Sequence, residues 1–294
     1  MATYGFSSTP LWTSTLAWRE SDPNGEHREY LRSAFLRARE TVGVLLGELG
    51  GSVPEYTVHD LTHADALWET GSLLVGTDVE FNPAEGFVLG VAFLLHDAAM
   101  GLAAYQGGPA DLLGEEGWLD LLCSVFHDRH GRWPTREELA EPPADVATET
   151  TSAAVREAHA RQAGILVDTP WTSAEGSPVF LLDDARLRDW YGPLLADLVE
   201  SHWWSVERVS THFRRTVGSP PWLPDWPLDP VKLACLLRLA DATQIDARRA
   251  PTLLLLIRRG GPAVRARGGI RPGGRIAGVG AQDRHRGRRH SRAW

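Results

Sequence analysis

Through most of the chain, apolar residues recur three or four positions apart, the period of helices with one buried face. Alternation is nowhere strong enough to suggest a sheet. A first helix is predicted over Asn24–Leu49, with "SDPNGEHREY" at its start and Gly50-Gly51 as its stop. A second runs from Asp60 past Trp68 to Val75, and a third occupies the almost wholly apolar Gly86–Tyr105. Residues 107–150 are rich in Gly, Pro and Glu and hold one apolar run, "WLDLLCSVF". They read as a polar insertion with one helix, placed like a lid. Helices follow over Thr151–Val167, Leu194–Phe213 and Val231–Ile245, with a short extended piece at Val179–Leu182 and a Pro-rich linker, "GSPPWLPDWPLDP". The fold class expected is all-α.

Composition changes this picture only at the end of the chain. Residues 258–294 carry eleven arginines against one acid, Asp283, so about +10, which leaves about −18 on the rest of a chain whose net charge is −8. With twenty Arg or Gly in thirty-seven residues and no apolar period, this tail cannot bury enough surface to fold alone. The domains expected are therefore a body over 1–257 and an Arg/Gly-rich tail over 258–294. That tail is either disordered or the product of a frameshift or truncation. The negative body makes nucleic acid an unfavourable partner. Two cysteines, Cys123 and Cys235, imply no disulfide framework, and no basic start precedes a long apolar run, so a cytoplasmic location is expected. Gly86–Tyr105 is long enough to span a bilayer, but His96 and Asp97 at its middle oppose that reading.

Those two residues raise the chemical question. In "FLLHDAAMG", an imidazole and a carboxylate stand inside an apolar run, where polar groups are costly unless paired or bound to a metal. Four more such groups fall on inward helix faces: His63 in "YTVHDLTH", His159 in "REAHARQ", His202 four after Leu198, and Asp241 four after Leu237. Left unsatisfied, six such groups would cost about 1–3 kcal/mol each, against a stability of about 5–15 kcal/mol for a whole domain. Imidazole nitrogen and carboxylate oxygen are ordinary ligands of Zn, Mn or Fe, so shared metal ions resolve the cost. His127 and His130 fall in the polar insertion and are expected at the surface, as are His27 and His212. Trp203 and Trp204 are expected to pack around the site.

The order His…His-Asp…His…His…Asp, with "HADAL", "FLLHDAAMG" and "LLRLADATQIDARRAP", resembles the HD superfamily of metal-dependent phosphohydrolases over roughly residues 24–257. The finer phrases "ESHWWSVE" and "LLHDAAMGLAAY" resemble HD domains of bacterial conflict systems, often fused ahead of a GHKL-type ATPase; such a module would be missing from this chain. The resemblance implies an HD-type helical bundle with a central metal site. His63, His96, Asp97 and Asp241 would hold a first divalent ion, and Asp97 would bridge to a second held by His159 and His202. The ions would be Mn, Fe, Zn or Mg. The implied activity is hydrolysis of a phosphoester or phosphoanhydride bond in a nucleotide-type small molecule, by a water that one or two metals activate. The alternative is a non-catalytic nucleotide sensor acting on an ATPase partner. Asp97 is the central catalytic candidate, His59 or a residue of the insertion is the candidate to protonate a leaving group, and Arg156 and Arg248 are candidate phosphate clamps.

Overall fold

The computed structural model describes residues 5–48, 60–108 and 110–244. They form helices α1 (Pro10–Thr15), α2 (Gly25–Gly47), α3 (Leu61–Val75), α4 (Pro83–Leu95) and α5 (Ala110–His130). The order continues with α6 (Arg136–Ala140), α7 (Ala144–Leu166), α8 (Ala185–Ser201), α9 (Val206–His212) and α10 (Pro230–Thr243). The sheet among the described residues is one antiparallel pair, β1 (Trp171–Thr172) and β2 (Pro178–Val179), with Trp171 opposite Val179. The protein is an all-α bundle.

The central element is α4. Asn82 and Glu85 close a reciprocal capping box at its start, and Pro83 takes a first-turn position that needs no N–H donor. Every one of its residues is buried, with α1, α2, α3, α8 and α10 packed around it. Each of its large apolar side chains contributes about 1.5–3 kcal/mol by leaving water. Gly90 allows the closest approach: a Cβ there would lie 2.5 Å from Trp68 and 2.8 Å from Phe35. Buried Glu85 also accepts from Lys232 at 2.7 Å and from the Asp229 amide at 3.1 Å. Since Lys232 and Asp229 stand at the start of α10, the pair sets α4 and α10 side by side in one direction, so their far ends meet.

The apolar segment expected as one helix to Tyr105 stops at Leu95; His96 caps it, and tight turns follow, with Ala98 N–H donating to Leu95 O at 2.9 Å and Met100 N–H to Asp97 O at 3.0 Å. Hydropathy conceals this end because Ala98, Ala99 and Met100 remain buried after the chain leaves the helix. The helix expected over Leu194–Phe213 begins at Ala185 and is interrupted after Ser201, with Ser205 capping a new start at α9. The insertion holds more helix than its composition suggests. Val146 and Thr150 are buried on an early extension of α7, and Val146 packs with Leu122 and Phe126 of α5 in a satellite core. The Pro-rich linker is a packed strap, with Leu223, Trp226 and Leu228 buried and Leu228 bridged to Val217. Thr9-Pro10 starts α1, a helix the sequence reading omitted, whose Leu11, Trp12 and Thr15 are buried. No helix among the described residues is long and apolar enough to cross a membrane.

Candidate metal centre

The structure brings the six sequence-nominated side chains together. His63, His96, Asp97 and Asp241 form one cluster; Asp97, His159 and His202 form a second. His63 lies in the first turn of α3, His96 and Asp97 where α4 ends, His159 within α7, His202 at the cap of α8 and Asp241 in the last turn of α10. Hence the C-terminal ends of α4, α8 and α10 all meet here. His63, His96, Asp97 and His159 are buried, while His202 and Asp241 are half-buried.

In the first cluster His96 Nε2 lies 3.2 Å from Asp97 Oδ2, 3.7 Å from Asp241 Oδ1 and 3.4 Å from His63 Nε2. His63 Nε2 is 3.6 Å from each of the same two carboxylate oxygens. Donors about 2.0–2.2 Å from one tetrahedral ion stand roughly 3.3–3.6 Å apart, so these separations suit a shared cation. In the second cluster the His159 and His202 Nε2 atoms are 3.0 Å apart, and they lie 3.7 and 3.9 Å from Asp97 Oδ1. Asp97 therefore turns one oxygen to each cluster.

The Nδ1 side of each ring explains why Nε2 faces inward. His96 Nδ1 is 3.1 Å from Phe93 O, His159 Nδ1 2.6 Å from Arg156 O, and His202 Nδ1 bonds to Val199 O, each carbonyl three residues back. A carbonyl only accepts, so each Nδ1 carries a proton and each Nε2 is left as the atom that faces the centre and would ligate a metal. His63 uses a side chain instead: its Nδ1 is 2.9 Å from Gln244 Oε1. Two residues missed in the sequence thus belong to the site's support. Gln244 is buried three positions after Asp241. Arg238, three before Asp241, donates to the Ser201 carbonyl and, at 2.7 Å, to the Trp204 carbonyl, tying the turn beyond α8 to α10. Both lie in the quoted phrase around Asp241, and a helical spacing of three was the available signal.

The electrostatics call for positive charge at this point. Burial alone pushes the His96 pKa down, but the Asp97 and Asp241 carboxylates outweigh it and hold it up at about 10. His202 is pushed down to about 4, by burial first and then by charge on His96. Burial would raise Asp241, yet hydrogen bonds from His63 and His96 keep it well below the usual carboxylate range. The donor set fits divalent ions: two carboxylates and four imidazoles, the latter oriented by their Nδ1 bonds.

Of the other nominated residues, Arg156 is exposed on α7, one turn before His159. His59 and Arg248 lie outside the described residues. His127 is half-exposed against Trp133 and His130 is exposed; neither joins a cluster. His212 is exposed and pairs with Asp197 at 2.7 Å. The two tryptophans after His202 differ: Trp204 is buried and stacked on Phe213, whereas Trp203 is 55% exposed.

A family model described as HD-CE matches residues 53–267, most of the chain. No curated protein and no solved structure gives a match.

Proposed function

The chain belongs to the HD-CE family, and on that premise we propose that it is a divalent-metal-dependent phosphohydrolase acting on a phosphoester or phosphoanhydride bond at the His63–Asp241 centre. The observation that carries this reading is the division of Asp97, with Oδ2 toward His63 and His96 and Oδ1 toward His159 and His202. A carboxylate so placed joins two ligand sets into one centre, the arrangement used to grip both sides of a transferring phosphoryl group. When bound, divalent ions polarise phosphoryl oxygens and acidify water to near-neutral pKa.

The chain's own residues supply the rest. His63, His96, Asp97 and Asp241 would hold one ion, and Asp97, His159 and His202 the other. The carbonyls of Phe93, Arg156 and Val199 hold the Nδ1 side of each imidazole and keep Nε2 turned toward the centre. Arg156, exposed one turn before His159, offers a guanidinium to the substrate's phosphate. His59 and Arg248 keep their nominated roles in this reading as leaving-group acid and second phosphate contact.

The test strips purified protein of metal, reloads it with Mn, Fe, Zn or Mg, and measures metal per chain and phosphate release from aryl phosphates, phosphodiesters and nucleotides. Metal-dependent release is expected, lost on chelation and in Asp97→Ala with helix content near wild type. Full activity in Asp97→Ala would remove that residue from catalysis. Nucleotide binding without turnover under every metal would replace the hydrolase reading with the sensor.

A further inference from the structure

Trp203 and Trp204 are adjacent in sequence and opposite in environment. Trp204 is buried, with its Nε1 donating to Glu200 Oε1 at 2.9 Å and its ring stacked on Phe213 at 5.7 Å. Trp203 leaves 55% of its surface to solvent while touching two of the metal-centre histidines. Its ring lies 5.1 Å from His159 at 83° and 6.3 Å from His202 at 70°. Neither imidazole stacks flat upon it. Among the described residues, Trp18, Trp133 and Trp190 are also exposed, but Trp203 is the exposed tryptophan in contact with a cluster histidine.

The turn that carries it is tied down by hydrogen bonds on both sides. Trp203 N–H donates to Glu200 O at 3.1 Å and Trp204 N–H to Ser201 O at 3.0 Å. Arg238 holds the carbonyls of Ser201 and Trp204, on either side. A packing residue would have been drawn inward, as Trp204 is. An indole held still at the rim of a buried polar centre, with much of its surface in water, has the form of a preorganised platform. Flat π systems bind such platforms with little further loss of freedom.

We propose that Trp203 stacks a planar aromatic group of the substrate, a nucleobase, while the phosphate of the same molecule occupies the Asp97–His159–His202 side of the centre. This rests on the phosphohydrolase reading above and assigns that site its substrate class: phosphate compounds bearing a base, in preference to those bearing sugar alone. Trp203 here determines specificity; the chemistry stays with the metal centre.

Two readouts on full-length, metal-loaded protein test it. The first is the kcat/KM ratio for a nucleoside monophosphate over ribose 5-phosphate. The second is equilibrium dialysis of the same two compounds, which needs no turnover. Trp203→Ala is expected to lower the base-to-sugar preference about 5–150-fold, the range for losing one stacked base. Trp203→Phe should recover most of it, with metal per chain unchanged in both variants. The proposal is overturned if Trp203→Ala leaves the preference intact, if wild type shows no base preference in dialysis, or if the variant sheds metal in proportion to its loss, which would make Trp203 a shield for the ligands. Base-selective binding without turnover would sustain the platform and sink only the hydrolase reading; turnover without base preference would do the reverse.

Discussion

Replacing Asp97 with Asn is the most discriminating change the centre permits. The side chain keeps its size and its place after α4, so packing is preserved, but the charge is lost and an NH2 replaces one oxygen. In the wild type, Oδ2 stands 3.2 and 3.6 Å from His96 and His63, and Oδ1 3.7 and 3.9 Å from His159 and His202. Whichever way the amide turns, one cluster meets N–H groups that cannot ligate and the other meets a neutral oxygen. Removing one partner from a buried charged pair costs about 3–5 kcal/mol. That corresponds to a fall of about 150–5,000-fold in affinity. Both clusters contain Asp97, so both should weaken, whereas Asp241→Asn should weaken only the first and His202→Ala only the second. Elemental analysis after desalting reads this directly, with circular dichroism confirming helix content. Wild type should retain two ions per chain, Asp241→Asn and His202→Ala about one each, and Asp97→Asn fewer than either. If Asp97→Asn loses no more metal than His202→Ala, the shared-carboxylate geometry is wrong.

Gln244→Leu removes the acceptor of His63 Nδ1 and should weaken first-cluster metal binding about 10–100-fold in a competition titration, with the second cluster little changed. Gly90→Ala forces a methyl into Trp68 and Phe35 and should cost about 1–3 kcal/mol, read as a lower urea midpoint at unchanged slope. In metal-free protein, the His96 contribution to stability is full below its unfolded pKa of about 6.5 and is lost as pH rises through about 10. His202, depressed to about 4, adds the opposite limb: stability present above about 6.5 falls away as the pH drops toward 4. Metal binding at pH 8 should therefore release about one proton, from His96, while His202 contributes none; calorimetry in buffers of different ionisation enthalpy measures it. Uptake with no proton release would contradict the charge state assigned to His96.

Much of the fold was legible because burial writes itself into helical spacing. The cores of α2, α3, α4, α7 and α10 stand where the apolar period places them. Their ends were harder to find. Apolar continuity ran through the turns after His96, and the interruption after Ser201 is set by the Ser205 cap, a polar signal inside a mixed stretch. The six clustered side chains could be nominated because imidazole and carboxylate on an apolar face are conspicuous wherever they fall. Gln244 and Arg238 were not, since an amide or guanidinium near a helix end is ordinary until its partner is known. Those partners come from elements far away in the chain: His63 from α3, and the turn after α8. The structure also separates Trp203 from Trp204, which the dipeptide could not.

Three helices, α4, α8 and α10, deliver their C-terminal ends to a single point. Each such end bears about half a negative charge from its aligned peptide groups, on top of the carboxylates of Asp97 and Asp241. To an incoming phosphate compound, the bare protein is thus repulsive, and cations reverse that sign. For the phosphohydrolase proposed above, this sets an order of binding, with cations ahead of the anionic substrate.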